Sequence, residues 1–114
     1  MSSISAQKIR KKQTEAVTEE HVYVFCLYIS GMTDRSREAI INLKRIGEGY
    51  LKGRYQLKVI DLYQQPELAA THQILATPTL VKSLPLPQRR LIGDLSETKE
   101  TVRRLGLSTN TVEP

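Results

Sequence analysis

Eight consecutive apolar residues, Val22-Tyr-Val-Phe-Cys-Leu-Tyr-Ile29, constrain this chain more than any other feature. They are β-branched, aromatic or aliphatic throughout, and Ser30-Gly31 ends the run. The run is far short of the ~20 residues a membrane helix needs. It does not alternate, so it is not a strand with one wet face. It reads as a central strand with both faces covered, which calls for layers on both sides of a sheet.

The rest of the chain supplies those layers. Thr33 or Asp34 is a natural N-cap, and Asp34 suits the positive end of a helix dipole. Ala39, Leu43, Ile46 and Tyr50 then recur at the spacing of one buried helical face, with Arg35, Glu38, Asn42 and Arg45 on a polar side. Gly47 and Gly49 are expected to close the helix. Tyr55 to Leu62 reads as a second strand, so the first two strands should be parallel with a right-handed crossover. Pro66 opens a short helix from Glu67 to about Leu75. Ala76-Thr-Pro-Thr leads into a third strand, Pro85 and Pro87 bracket a turn, and Arg89 to Gly93 returns antiparallel. Ser96 is expected to cap a last helix in which Leu95, Val102 and Leu105 share a face, and Gly106 ends it. The order βαβαββα is the thioredoxin-like arrangement, a mixed α/β sheet with helices on both faces. In that arrangement Pro78 is a structural proline, expected to follow a cis bond. Residues 1–20 read as a flexible polar and basic arm, 21–107 as the domain, and 108–114 as a frayed tail.

Composition removes several functions. A single cysteine among 114 residues excludes an intramolecular disulfide framework, and Cys and His are too few for an ordinary structural zinc site. No apolar segment follows the N-terminal basic residues as a signal peptide requires, so the expected location is the cytoplasm and no membrane is involved. The net charge of +5 raises nucleic acid as a partner. Against it, the basic residues are interleaved with acidic ones, there is no Trp, and there is a single Phe, so a stacking surface is lacking.

The catalytic motifs of this scaffold are also missing. A redox thioredoxin needs a low-pKa thiolate at the start of the first helix. That place reads Gly31-Met-Thr-Asp-Arg-Ser36, and Cys26 lies inside the first strand, where it is expected to be buried and structural. His21 and His72 have no nucleophile beside them in a recognisable motif. Gly47-Glu-Gly49 lacks the Lys-Ser/Thr of a phosphate loop. Asp61 and Asp94 have no spacing that demands a pair. No catalytic residues and no cofactor are expected. The scaffold points to binding.

Two features suggest where. The second strand is expected at a sheet edge, with Gln56 and Lys58 along it. Ile41 lies opposite Leu43 on the first helix, among Arg37, Lys44 and Arg45, and so should be exposed within a basic ring.

Several segments resemble one family. They are Leu27-Tyr28-x-x-Gly31-x-Thr33-x-x-Ser36, Tyr55-x-Leu-Lys-Val-Ile-Asp61, Pro66-x-Leu-Ala69, Ile74-Leu-Ala-Thr-Pro-Thr-Leu80, Leu84-Pro-Leu-Pro87 and Arg89-Arg-x-Ile-Gly-Asp-Leu-Ser96. In this order they are similar to the KaiB family of circadian clock proteins. The resemblance implies a non-catalytic adaptor that binds a KaiC-type hexameric ATPase and autokinase, and it supports the reading that the second strand's edge and the first helix together meet the partner, with Arg37, Ile41, Arg45, Gln56 and Lys58 as the candidate partner-binding residues. It implies further partners, a KaiA-like protein and the KaiB-like sensor domain of a histidine kinase as a competitor. It also implies a second state of the fold, a tetramer in which the second half rearranges to βαββααβ. This chain has Glu38 where the family usually carries an arginine and Gln73 where it carries a lysine, which suggests a divergent paralogue. The alternative function is a thioredoxin-scaffold module for another protein or nucleic-acid partner. Arg103 and Arg104 suit a helix C-terminus, but would fall on opposite faces of a strand. Two states of a switching protein differ by only about a few kcal/mol. The chain is thus expected to favour the thioredoxin-like state, as a monomer or small oligomer.

Overall fold

Each face of the apolar strand finds a separate partner. A computed structural model describes residues 22–107, and in it the run forms β1 (Tyr23–Ile29). The elements that follow are α1 (Asp34–Tyr50), β2 (Tyr55–Asp61), α2 (Glu67–Thr71), β3 (Thr79–Leu84), β4 (Arg89–Ile92) and α3 (Thr98–Arg104). This is the expected βαβαββα order. The sheet runs β2-β1-β3-β4, with β1 and β2 parallel and the other neighbours antiparallel. The thioredoxin-like arrangement holds, and β2 is at an edge.

On one face of the sheet, Phe25, Leu27 and Ile29 pack with Ala39, Leu43 and Ile46 of α1 and with Val102 and Leu105 at α3. On the other, Tyr28, Ile60 and Val81 pack with Ile74, flanked by Leu68 and Ala69 of α2. Burying each large aliphatic side chain contributes about 1.5–3 kcal/mol, so the larger first cluster dominates stability. The Thr77–Pro78 bond is cis, as expected.

Several local expectations are corrected. α1 does not stop at its glycines. It runs to Tyr50, and Leu51 closes it by donating its N–H to the Gly47 carbonyl at 2.7 Å. Tyr50 is exposed, and Leu51 beside it is buried in the first cluster in its place. Asn42 is buried, not solvent-facing, because its Nδ2 donates to the Asp94 carbonyl at 2.8 Å. α2 ends at Thr71, short of Leu75, where Gln73 takes a positive φ of 55° and Arg90 binds the carbonyls that a longer helix would use. Ser96 is not the cap of α3. Its N–H donates to Asp94 Oδ1 at 3.0 Å in a turn, and Glu97 holds the cap position. Cys26 is half-buried rather than fully enclosed, at the margin of the second cluster. The expected arm at 1–20, the tail at 108–114 and His21 lie outside the described residues.

Candidate partner-binding surface

The chain that links β1 to α1 occupies the position where a redox thioredoxin holds its thiols. Its shape comes from Asp61. One carboxylate oxygen, Oδ1, accepts from the N–H of Gly31 and from that of Tyr63, both at 2.9 Å. Gly31 sits at φ 76° against the Tyr63 ring, so a side chain there would be strained and crowded. Thr33 caps α1, its Oγ1 accepting from the Ser36 N–H at 3.1 Å. Thr77, next to the cis bond, donates its hydroxyl to Ser30 Oγ at 2.9 Å. The loop is thus ordered by hydrogen bonds and carries no thiol. Its sulfur is the thioether of Met32, which is exposed. Cys26 instead points to the α2 face beside Tyr28, whose hydroxyl is pushed up to about 12, first by burial and then by Cys26.

Asp61 and Asp94 do not pair. Each accepts from the N–H two residues on, in the matching stretches Asp61-Leu-Tyr63 and Asp94-Leu-Ser96. The hydrogen bonds from Ser96 hold the Asp94 carboxyl below its ordinary value. An Asp followed by Leu at or just past a strand's end is the signal by which sequence reasoning could have found both turns.

Three of the candidate residues form one stripe. Arg37, Ile41 and Arg45 follow at intervals of four on α1, on the side away from Leu43, and all three are exposed. Ile41 retains 49% of its surface. Arg37 reaches the Met32 carbonyl at 3.4 Å and Asp34 at 3.7 Å, and Arg45 donates to Asn42 Oδ1 at 3.1 Å. Glu38 stands exposed on the same helix. Gln56 and Lys58 are exposed on β2. Alternation along β2 puts them on the face of Ile60 and α2, whereas Tyr55 and Leu57 pack with the α1 face. The five residues therefore make two groups on opposite sides of the sheet, with the free edge of β2 between them.

Tyr55 was not singled out by the sequence, yet it locks α1 to this edge. Its ring rests on Gly47 and its hydroxyl donates to Glu48 Oε2 at 2.9 Å. Among the described residues no group of His, Cys, Asp and Glu is placed to hold a metal, and no helix is long and apolar enough to cross a membrane.

The KaiB domain model matches residues 26–107, from the middle of β1 through α3. The chain belongs to the KaiB family. Among curated relatives, the circadian clock oscillator protein KaiB of Prochlorococcus marinus subsp. pastoris is 51% identical over 85 residues, covering 75% of this chain and 79% of that protein. The KaiB protein of Synechococcus elongatus is 49% identical over 85 residues, covering 75% and 83%. Among solved structures, the N-terminal domain of SasA from Synechococcus elongatus aligns with a TM-score of 0.61 at 24% identity, covering 75% of this chain and 84% of that one. Mitochondrial thioredoxin 3 of Saccharomyces cerevisiae aligns at 0.59 with 13% identity, covering 85% and 89%. These two likenesses concern the fold, and they agree with the thioredoxin-like order read from the strands and helices of this KaiB-family chain.

Proposed function

We propose that this KaiB-family protein is a non-catalytic regulatory adaptor that binds a KaiC-type hexameric ATPase. The observation that carries the reading is the family match over residues 26–107, with relatives at about half identity that are clock oscillator proteins. The thiol-free loop from Gly31 to Ser36 agrees with a binding role on a thioredoxin-like scaffold. The contact surface in this reading is the α1 stripe of Arg37, Ile41 and Arg45, joined across the β2 edge to Gln56 and Lys58. Ile41 is the apolar anchor, flanked by Glu38 and by the cations Arg37, Lys44 and Arg45, which orient the partner and quicken encounter. A KaiA-like protein and the KaiB-like sensor domain of a histidine kinase are further partners in the same reading, and the site of action is the cytoplasm. Glu38 and Gln73 mark a paralogue whose ATPase partner differs in charge from that of its clock relatives.

The experiment is gel filtration of the protein with a KaiC-type ATPase and nucleotide. Co-elution that depends on Ile41 and Lys58 is the expected result. Separate elution under all nucleotide conditions, with both proteins folded, overturns the reading.

A further inference from the structure

At the edge of the sheet opposite β2, arginines gather on one groove. Arg89 and Arg90 of β4 and Arg103 and Arg104 of α3 line it together with Leu91, around about 360 Å³. Two of the four are already engaged. Arg90 donates to the carbonyls of His72 and Gln73, and Arg103 pairs with Glu100 at 2.6 Å. Arg89 and Arg104 are exposed and form no ion pair among the described residues. Lys82 stands opposite Arg89 in the β3–β4 register, is buried, and has its Nζ 5.7 Å from the Tyr23 ring centroid. Positive charge is thus concentrated here well beyond what Glu100 offsets, and an anion seated in the groove would relieve it.

The groove also borders an open strand. β4 is the last strand of the sheet. The Gly93 N–H donates to the Pro78 carbonyl at 2.9 Å, so at that position the main chain faces β3. Alternation then turns the N–H and C=O of Leu91 toward β3 and those of Arg90 and Ile92 outward. The side chains alternate too. Leu91 is in the core under α3, so Arg89 shares the α3 side with Arg104, while Ile92, 69% exposed, lies on the other side.

We propose that this edge is a receptor for an extended partner segment in which acidic and apolar residues alternate. The segment pairs its main chain with the outer groups of Arg90 and Ile92. Its carboxylates fall on the α3 side, where the guanidinium groups of Arg89 and Arg104 can bind them in pairs of hydrogen bonds. Its apolar side chains fall on the side of Ile92. Main-chain pairing provides affinity and the alternating pockets provide choice, as in other strand-addition complexes. A nucleic acid fits the charge but has no peptide main chain to pair with the edge at strand spacing. The site is separate from the α1 surface, and its test needs no ATPase.

The probe is a fluorescein-labelled decapeptide of alternating Glu and Val, followed by anisotropy with the full chain. Saturable binding is expected. Arg104→Glu and the milder Arg104→Gln should both weaken it, the first by about tenfold or more. Lys52→Glu, with the same change of net charge at the far edge, should leave it unchanged. The same peptide N-methylated at alternate residues keeps its charge but cannot pair, and should not bind. Absence of binding at peptide concentrations of about 1 mM overturns the proposal. So does equal binding of the N-methylated peptide, equal binding of a DNA oligonucleotide of matched charge, or no effect of either Arg104 variant with melting unchanged.

Discussion

The ring of Tyr55 occupies the space that a side chain at residue 47 would need. A Cβ added to Gly47 would stand 2.5 Å from Tyr55 Cζ, closer than real Cβ contacts come. The glycine stands in the last turn of α1 at a propensity cost of up to about 1 kcal/mol relative to alanine, and it lets α1 lie directly on the edge strand.

Gly47→Ala should therefore lower stability by about 1 kcal/mol or more, since overpacking costs about 1–3 kcal/mol and outweighs the helix gain. In a Tyr55→Ala background the same substitution should be neutral or stabilising. Urea midpoints of the four proteins in this cycle give the coupling directly. Equal effects of Gly47→Ala in both backgrounds would contradict the contact.

Ile41→Asp should weaken capture of a KaiC-type ATPase by about tenfold or more, as expected for loss of an apolar anchor. The melting temperature should move by less than about 3 °C, because an exposed position contributes little to the core. Calorimetry and gel filtration on the same sample separate the two effects. A large drop in melting temperature would show that Ile41 supports the fold instead.

Asn42→Ala should cost about 1–3 kcal/mol, because it leaves the Asp94 carbonyl without its buried donor. The loss should be larger than that for Arg45→Ala, which removes a more exposed bond to the same side chain. Chemical denaturation of the two variants ranks them, and a neutral Asn42→Ala would mean that water replaces the amide.

Alkaline stability should depend on Tyr28. Its hydroxyl is pushed from 10.0 to about 12, first by burial and then by Cys26. The folded value lies above the unfolded one, so this stabilisation is complete below pH 10 and is lost as pH rises from 10 toward 12. Stability of the wild type should fall through that window, and Tyr28→Phe should remove that part of the slope. Denaturation at several pH values, with the tyrosinate absorbance recorded in parallel, checks the sign.

Light scattering at micromolar concentration should give a monomer or small oligomer with α3 in place. In α3 both Arg103 and Arg104 are exposed while Val102 and Leu105 are buried. The same segment as a strand would turn one arginine inward, and an unpaired buried charge costs about several kcal/mol. A stable tetramer with a rearranged second half would overturn this expectation.

The parts of the fold set by side-chain pattern were legible in the sequence. The continuous run of β1, the Ala39-Leu43-Ile46 face, the edge position of β2 and the β3–β4 hairpin all follow from apolar spacing and turn residues. The parts set by partners distant in sequence were not. Asn42 reads as polar surface until Asp94, 52 residues away, supplies a carbonyl. Gly47 reads as a helix stop until Tyr55 is seen lying on it. The end of α2 has no glycine to mark it, because Gln73 takes the positive φ there and Arg90, from another strand, binds the carbonyls of His72 and Gln73. For the candidate surface, helical spacing placed Arg37, Ile41 and Arg45 on one stripe. That Gln56 and Lys58 face the other way needed the pairing of Tyr55 and Leu57 with the α1 side.

The bond between Arg90 and the end of α2 bears on how such a chain can diverge. The acceptors are main-chain carbonyls, which every residue type has. The side chains at 72 and 73 therefore take no part in the link, and what constrains them lies elsewhere: the positive φ of Gln73 and the His72 ring 5.7 Å from that of Tyr28. The donor has no such latitude of residue type, since only a long side chain with a forked head reaches two carbonyls at once. The position of the five-residue helix thus rests on two anchors of different kinds, the apolar contacts of Leu68 and Ala69 with the second cluster and an arginine on a different strand.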